Sequence, residues 1–186
     1  MKNKYLIPRV IAEIGCNHKG EMEIAKQLLK IAADSGVEVA KFQKRNNKEL
    51  LTKEQYNTPH PNPINSYGNT YGEHREFLEF NLNQHQELKE YTESLGLIYS
   101  TSVWDTTSAK EIASINPDLI KVPSACNNHF EMLKILRDKY QGEVHISFGM
   151  TTQEEEEEIV ALFEETDQAN RLVLYSCTSG YPVPFE

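Results

Sequence analysis

The chain has 186 residues, 39% hydrophobic and 25% charged, which gives it enough apolar material for one sizeable core but leaves it short of the roughly 250 residues of a complete (β/α)8 barrel. Its net charge of −9, from 28 acidic and 19 basic side chains without a Lys/Arg cluster, argues against a broad nucleic-acid surface while leaving room for a small basic pocket facing an acidic substrate. No stretch approaches the roughly 18 apolar residues of a membrane helix, and the opening MKNKYLIPRVIAEIG lacks the apolar run of a secretion signal.

Residues 10–14 read as a short apolar strand. Residues 22–35 then repeat apolar side chains at helical spacing through Ile24, Leu28, Ile31 and Ala32, and Gly36 ends that helix. Residues 37–42 return to strand, completing a β-α-β unit. The connection 46–73 holds Pro59, Pro61 and Pro63 among Asn, Tyr and Gly; it is too long for a turn and is expected to be a loop over an active-site mouth. Beyond it the alternation resumes with helix 84–95, strand 97–101, helix 106–115, strand 118–122, helix 128–140, strand 144–148, helix 152–166 and strand 171–177. The acidic run 154–158 opens the last of these helices, where carboxylates complement the dipole and Thr151 or Thr152 serves as cap.

Strands joined by helical crossovers imply a parallel sheet with helices outside it, either an open doubly wound sheet or a closed barrel. Polar residues recur where the strands end, at Glu13, Lys41, Ser102, Lys121, Ser147 and Thr178, as they do in barrels, whose active sites gather at strand C-termini. No GxGxxG follows the first strand, which counts against a dinucleotide-binding sheet. The fold class expected is α/β, a (β/α)8 TIM barrel truncated after about the sixth strand.

Several of these strand ends carry chemistry. Lys41 closes VEVAKF and Lys121 closes DLIKVP, and ammonium groups in an apolar setting need an anionic partner. Two readings are open: a bound substrate with more than one negative charge, or lysines that snorkel or form internal ion pairs. Ser102, Ser124 and Ser147 follow strand ends and suit phosphate oxygens beside a lysine. Glu13 ends an apolar strand and is a candidate for orienting a polar substrate or moving a proton. In the loop beyond it, Asn17 is a candidate contact, and His18 is either a ligand or base or an ordinary loop histidine.

Cys16, Cys126 and Cys177 are odd in number and widely spaced, which favours a reducing, cytoplasmic setting. Cys177 has no activating base nearby in sequence and is read as packed. Phe77, Phe80 and Trp104 are also read as packing residues. His60, His74, His85, His129 and His145 show no compact metal spacing, so no metal ligand is assigned within the chain.

AEIGCNHKG (residues 12–20), KFQKR (41–45), TYGEHREFLEF (70–80), ISFGM (146–150) and CTSGYPVPFE (177–186) together closely resemble the sialic acid synthase family. The resemblance implies a TIM-barrel synthase that condenses phosphoenolpyruvate with an N-acylated amino sugar, N-acetylmannosamine or its 6-phosphate, to give a nonulosonic acid and phosphate by C–O cleavage. By the same resemblance Lys41 and Lys121 pair with the carboxylate and phosphate, Ser102, Ser124 and Ser147 donate hydrogen bonds, Glu13 stands near the reacting sugar, and Tyr181 lines the sugar side. Asn17, His18, Gln43, Thr178 and Ser179 complete the expected substrate contacts.

The resemblance also implies Mn2+ or Mg2+ held by two histidines beyond Glu186, a homodimer, and a small antifreeze-like C-terminal domain reaching into the partner's site. Residues 1–186 would then be an incomplete synthase domain, without the last barrel strands. Three departures stand out. VPSACNN after Lys121 lacks a glutamate found in many bacterial members, Ser179 takes the place of an asparagine of some members, and Phe148 replaces a small residue. The alternatives are a Schiff-base aldolase using Lys121 or Lys41, and a catalytically inactive phosphoenolpyruvate- or phosphosugar-binding module.

Overall fold

In a computed structural model, residues 8–180 and 182–183 are described. Six strands form one sheet in the order in which they occur in the chain: β1 (Ile11–Gly15), β2 (Val39–Lys44), β3 (Ile98–Val103), β4 (Leu119–Val122), β5 (Glu143–Phe148) and β6 (Leu172–Ser176). The pairs β1/β2, β4/β5 and β5/β6 are parallel. Helices join successive strands: α1 (Met22–Asp34) follows β1, α5 (Leu82–Ser94) precedes β3, α6 (Thr106–Ser114) precedes β4, α7 (Phe130–Lys139) precedes β5 and α8 (Gln153–Glu164) precedes β6. Sequential parallel order with a helix in every connection is the topology of a (β/α)8 barrel carried through six of its strands.

The connection read as a loop over the active-site mouth forms three short helices, α2 (Asn47–Leu50), α3 (Lys53–Asn57) and α4 (Tyr71–Phe77), with a 3₁₀ turn at Pro63–Asn65. The reason is local. Thr52 and Gln55 satisfy each other's neighbouring backbone N–H groups at the start of α3, and Thr70 and Glu73 do the same for α4. Such capping boxes stabilise helices too short to show an apolar period. An isolated antiparallel bridge between Pro59 and Thr70 closes the base of the remaining loop.

The chain divides into two compact units, Met1–Thr101 and Ser102–Glu186. In the first, Ala25 and Leu29 of α1, Val39, Ala40 and Phe42 of β2, Leu88 of α5 and Tyr99 of β3 are buried. In the second, Ile112 of α6, Ile120 and Val122 of β4, Met132, Leu133 and Leu136 of α7, Val144 and Ile146 of β5, and Ile159 and Phe163 of α8 form one apolar cluster. Thr152 caps α8 and accepts from the Glu155 N–H, with Glu154, Glu155 and Glu156 in the first turn, so the acidic run is a dipole-matched helix start.

The period of two sorts the strand residues. In β4 and β5, Ile120, Val122, Val144 and Ile146 face the helices. The alternate residues Lys121, His145 and Ser147 therefore share the opposite face. Parallel register keeps them there: Lys121 pairs with His145, and Ser147 with Tyr175. In the first unit Glu13 pairs with Lys41 by the same rule.

Candidate active site

In the first unit the polar strand ends meet at the ends of β1 and β2. The Lys41 ammonium lies 2.7 Å from Glu13 Oε2. Lys41 is buried, whereas the Glu13 side chain is 64% exposed, so the ion-pair alternative considered for Lys41 is realised with its carboxylate open to solvent. Gln43, two residues on, lies on the same face as Lys41. Its amide nitrogen is 3.4 Å from where a Cβ on Gly15 would sit, and its oxygen faces the Cys16 thiol at 3.8 Å. Gly15 closes a bulge in the β1/β2 register and has φ +54°, a conformation glycine adopts without penalty.

The loop after β1 is held from below. His18 is only 1% exposed; its ring stacks on Phe80 with centroids 4.1 Å apart, and Nδ1 accepts from the Gly20 N–H at 3.1 Å. Burial pushes His18 down to about 4, against a hydrogen bond with the Gly15 backbone, so the ring is neutral at pH 7. His18 is thus packed into the loop, its ring stacked on Phe80 and its Nδ1 engaged by the Gly20 N–H. Asn17 is exposed, and its amide donates to the Ile14 carbonyl at 2.9 Å. Gly20 has φ +77°, and a Cβ there would come 2.4 Å from the Phe77 carbonyl oxygen. Gly20→Ala is therefore expected to destabilise the protein by about 2–4 kcal/mol, read as a lowered urea midpoint at unchanged slope. A shift under about 0.5 kcal/mol would show that the loop yields instead.

In the second unit Lys121 Nζ donates to Ser147 Oγ and, at 3.1 Å, to the Val122 carbonyl. It also stands 5.2 Å from the centre of the Tyr175 ring, a cation–π distance. Asn127, buried after the 3₁₀ turn Ser124–Cys126, donates to the Ser147 carbonyl at 2.8 Å and ties that turn to the end of β5. Beyond β5 the Ser124 and Ser179 hydroxyls converge over Gly149, lying 2.9 and 2.7 Å from where its Cβ would be. Only glycine leaves both hydroxyls in place.

Ser102 is buried at the end of β3, and Thr178 is exposed beyond β6. Tyr181 lies outside the described residues. Cys177, read as packed, is exposed, because β6 is the edge strand of the described sheet and its end has a neighbour on one side only. Phe80 is buried as expected and Trp104 packs against the core, but Phe77 is half exposed, its ring stacked 4.5 Å from Tyr67.

Four contributors are not singled out as site residues by the sequence pattern, although Arg45 lies in KFQKR, Glu79 in TYGEHREFLEF, Gly149 in ISFGM and Asn127 in VPSACNN. Arg45 is 9% exposed. Its Nε and backbone N–H both donate to the Glu79 carboxylate, at 2.5 and 3.0 Å, and its Nη2 lies 3.0 Å from Cys16 Sγ. A basic residue directly after a buried strand is a further hint, since such a charge requires a partner. Among the described residues no group of three or more His, Cys, Asp or Glu is arranged to hold a metal ion, and no helix is long and apolar enough to cross a membrane.

A sequential parallel sheet with polar strand ends, lysine among them, places the chain in the barrel-type α/β class. The NeuB family model matches residues 28–186, and the chain belongs to the NeuB family. It is 31% identical over 174 residues to the N-acetylneuraminate-9-phosphate synthase of Homo sapiens, covering 94% of this chain and 47% of that protein. Against the Drosophila melanogaster protein of the same name the identity is 33% over 177 residues, with 93% and 46% covered. The fold matches the crystal structure of N-acetylneuraminic acid (sialic acid) synthetase from Leptospira borgpetersenii serovar Hardjo-bovis with a TM-score of 0.76 at 22% identity, covering 94% of this chain and 55% of that one. The chain thus spans about half the length of the curated relatives it matches.

Proposed function

We propose that the chain is the phosphoenolpyruvate-holding part of a synthase that joins phosphoenolpyruvate to an N-acylated amino sugar, N-acetylmannosamine or its 6-phosphate, releasing phosphate by C–O cleavage. The observation that carries this reading is the Lys121 cluster. An ammonium and a hydroxyl at adjacent strand ends, with two further hydroxyls converging over Gly149, supply the positive charge and multiple donors that a phosphate needs. Membership of the NeuB family supports it.

In the second unit Lys121, Ser124 and Ser147 hold phosphate oxygens, with Ser102 as a further donor and Thr178, Ser179 and Tyr181 on the sugar side. In the first unit Lys41 supplies a positive charge for the carboxylate, Gln43 a hydrogen bond, Asn17 a loop contact, and Glu13 the carboxylate that orients the sugar or moves a proton. C3 of phosphoenolpyruvate attacks the open-chain aldehyde carbon, water adds at C2, and the C2–O bond breaks as phosphate leaves. Preorganised ammonium and hydroxyl groups stabilise the negative charge that develops on phosphate. The reading includes Mn2+ or Mg2+, a homodimer and a C-terminal antifreeze-like domain in the intact protein. The described residues do not offer a ligand set for the metal, and no step above is routed through it.

The reading is tested with phosphoenolpyruvate labelled with 18O at the bridging oxygen, incubated with the intact protein, Mn2+ and either sugar. Phosphate release that depends on sugar, with the label in the phosphate, is the expected result. Label left in the organic product would show P–O cleavage and overturn the proposed C–O cleavage, whereas a covalent adduct trapped by borohydride with pyruvate or phosphoenolpyruvate would establish the Schiff-base aldolase instead. Binding of phosphoenolpyruvate without turnover on either sugar would leave only the binding module.

A further inference from the structure

The segment after α4 and the end of β2 are joined by a contact chain leading to Gln43, whose first three members, Glu79, Arg45 and Cys16, the proposed chemistry does not use. Glu79 grips both the backbone N–H and the Nε of Arg45, with the Arg45 and Glu79 side chains 9% and 10% exposed. The guanidinium is thereby turned so that Nη2 reaches Cys16 Sγ at 3.0 Å. Cys16 Sγ in turn faces Gln43 Oε1 at 3.8 Å, within the range of a sulfur hydrogen bond. With its oxygen occupied, Gln43 turns its amide nitrogen over Gly15, at the end of β1.

We propose that Glu79, Arg45 and Cys16 are positioning residues: a relay that fixes the Gln43 amide with its NH2 end toward the strand-end mouth, so that Gln43 recognises an acceptor oxygen of the ligand. The inference rests on phosphoenolpyruvate being that ligand, whose carboxylate and phosphate present only acceptors. A freely rotating amide would offer either end equally. Each link is of the kind that fixes orientation: a two-point carboxylate clamp on one arginine, then a guanidinium N–H to sulfur, then a thiol to a carbonyl oxygen. Burial raises the Cys16 thiol above its ordinary range, with Arg45 opposing, and a protonated thiol can accept from Arg45 and donate to Gln43 at once.

The test uses the intact protein with Cys16→Ser, Cys16→Ala and the double variant Arg45→Met/Glu79→Leu. Two signals are read: the side-chain amide resonances of Gln43, assigned by their loss in Gln43→Ala, and phosphoenolpyruvate affinity by calorimetry. Cys16→Ser keeps a donor and is expected to hold both near wild type. Cys16→Ala should move the Gln43 resonances and weaken phosphoenolpyruvate binding by about tenfold at unchanged Tm. The double variant removes both buried charges together and should keep its Tm, yet behave like Cys16→Ala in both signals. Unmoved Gln43 resonances in Cys16→Ala overturn the relay. Resonances that move without any change in affinity overturn its service to the ligand. If the wild-type protein does not bind phosphoenolpyruvate, the functional reading fails, while the resonances still decide the relay.

Discussion

Lys121→Met is expected to weaken phosphoenolpyruvate binding by about 100-fold while leaving the fold intact. Methionine matches the aliphatic stem and removes only the ammonium, which in the folded chain serves Ser147 Oγ and the Val122 carbonyl and faces the Tyr175 ring. The loss should fall on the phosphate end, and inorganic phosphate should lose affinity in parallel with phosphoenolpyruvate. Calorimetry on the intact protein measures both ligands, and a thermal melt reports the fold. Less than threefold loss with an unchanged melt would remove Lys121 from the phosphate site. Gly149→Ala probes the same place by shape, because its methyl would displace the Ser124 and Ser179 hydroxyls without altering charge.

Stability is expected to fall as pH drops from about 6.5 toward 4, with His18 alone contributing about 3 kcal/mol. The sign follows from the direction of the shift. Burial lowers His18 to about 4 from its ordinary 6.5, so in this window the unfolded chain takes up the proton first. The free energy of unfolding therefore declines with falling pH, and the contribution is exhausted once pH passes below the folded value. His85 acts in the same sense: burial lowers it to about 3, with Lys44 and His18 adding to the effect. Its Nδ1 is engaged with the Tyr99 hydroxyl at 2.6 Å. Urea unfolding at several pH values measures the slope for wild type and for His18→Gln, which retains an acceptor for the Gly20 N–H. A variant whose slope between pH 6.5 and 4.5 equals that of wild type would show that His18 charges without unfolding the loop. Carboxylates contribute equally to both proteins, so the difference isolates the histidine.

The two effects have a common structural origin. The strand faces are sorted by period two, so one face supplies the helix-packed apolar core and the other carries ionisable groups to the strand ends. Lys121 is placed by this rule and by its register with His145. His18 stands outside the rule, in a loop whose position depends on Phe80 and Phe77, contributed from about sixty residues further along the chain.

The sequence by itself determined the alternation of strand and helix, the parallel class of sheet and the polar strand ends Glu13, Lys41, Ser102, Lys121 and Ser147, because period, capping and turn residues act over a few residues and need no tertiary context. It also carried the family through five motifs. Only the tertiary structure decided what depends on contacts between distant segments. The connection 46–73 leads through helices too short to announce themselves by period, two of them held by capping boxes. Phe77 lies half exposed against Tyr67, and Cys177 is exposed just past β6, the edge strand of the described sheet. His18 is a packed, neutral ring, a fact hidden from the sequence because the Phe80 that stacks on it is remote. Arg45 and Glu79 found each other across 34 residues, and the space over Gly149 became a meeting point for Ser124 and Ser179. Burial and partnership are properties of where two segments meet, and a one-dimensional pattern records only the side that each presents.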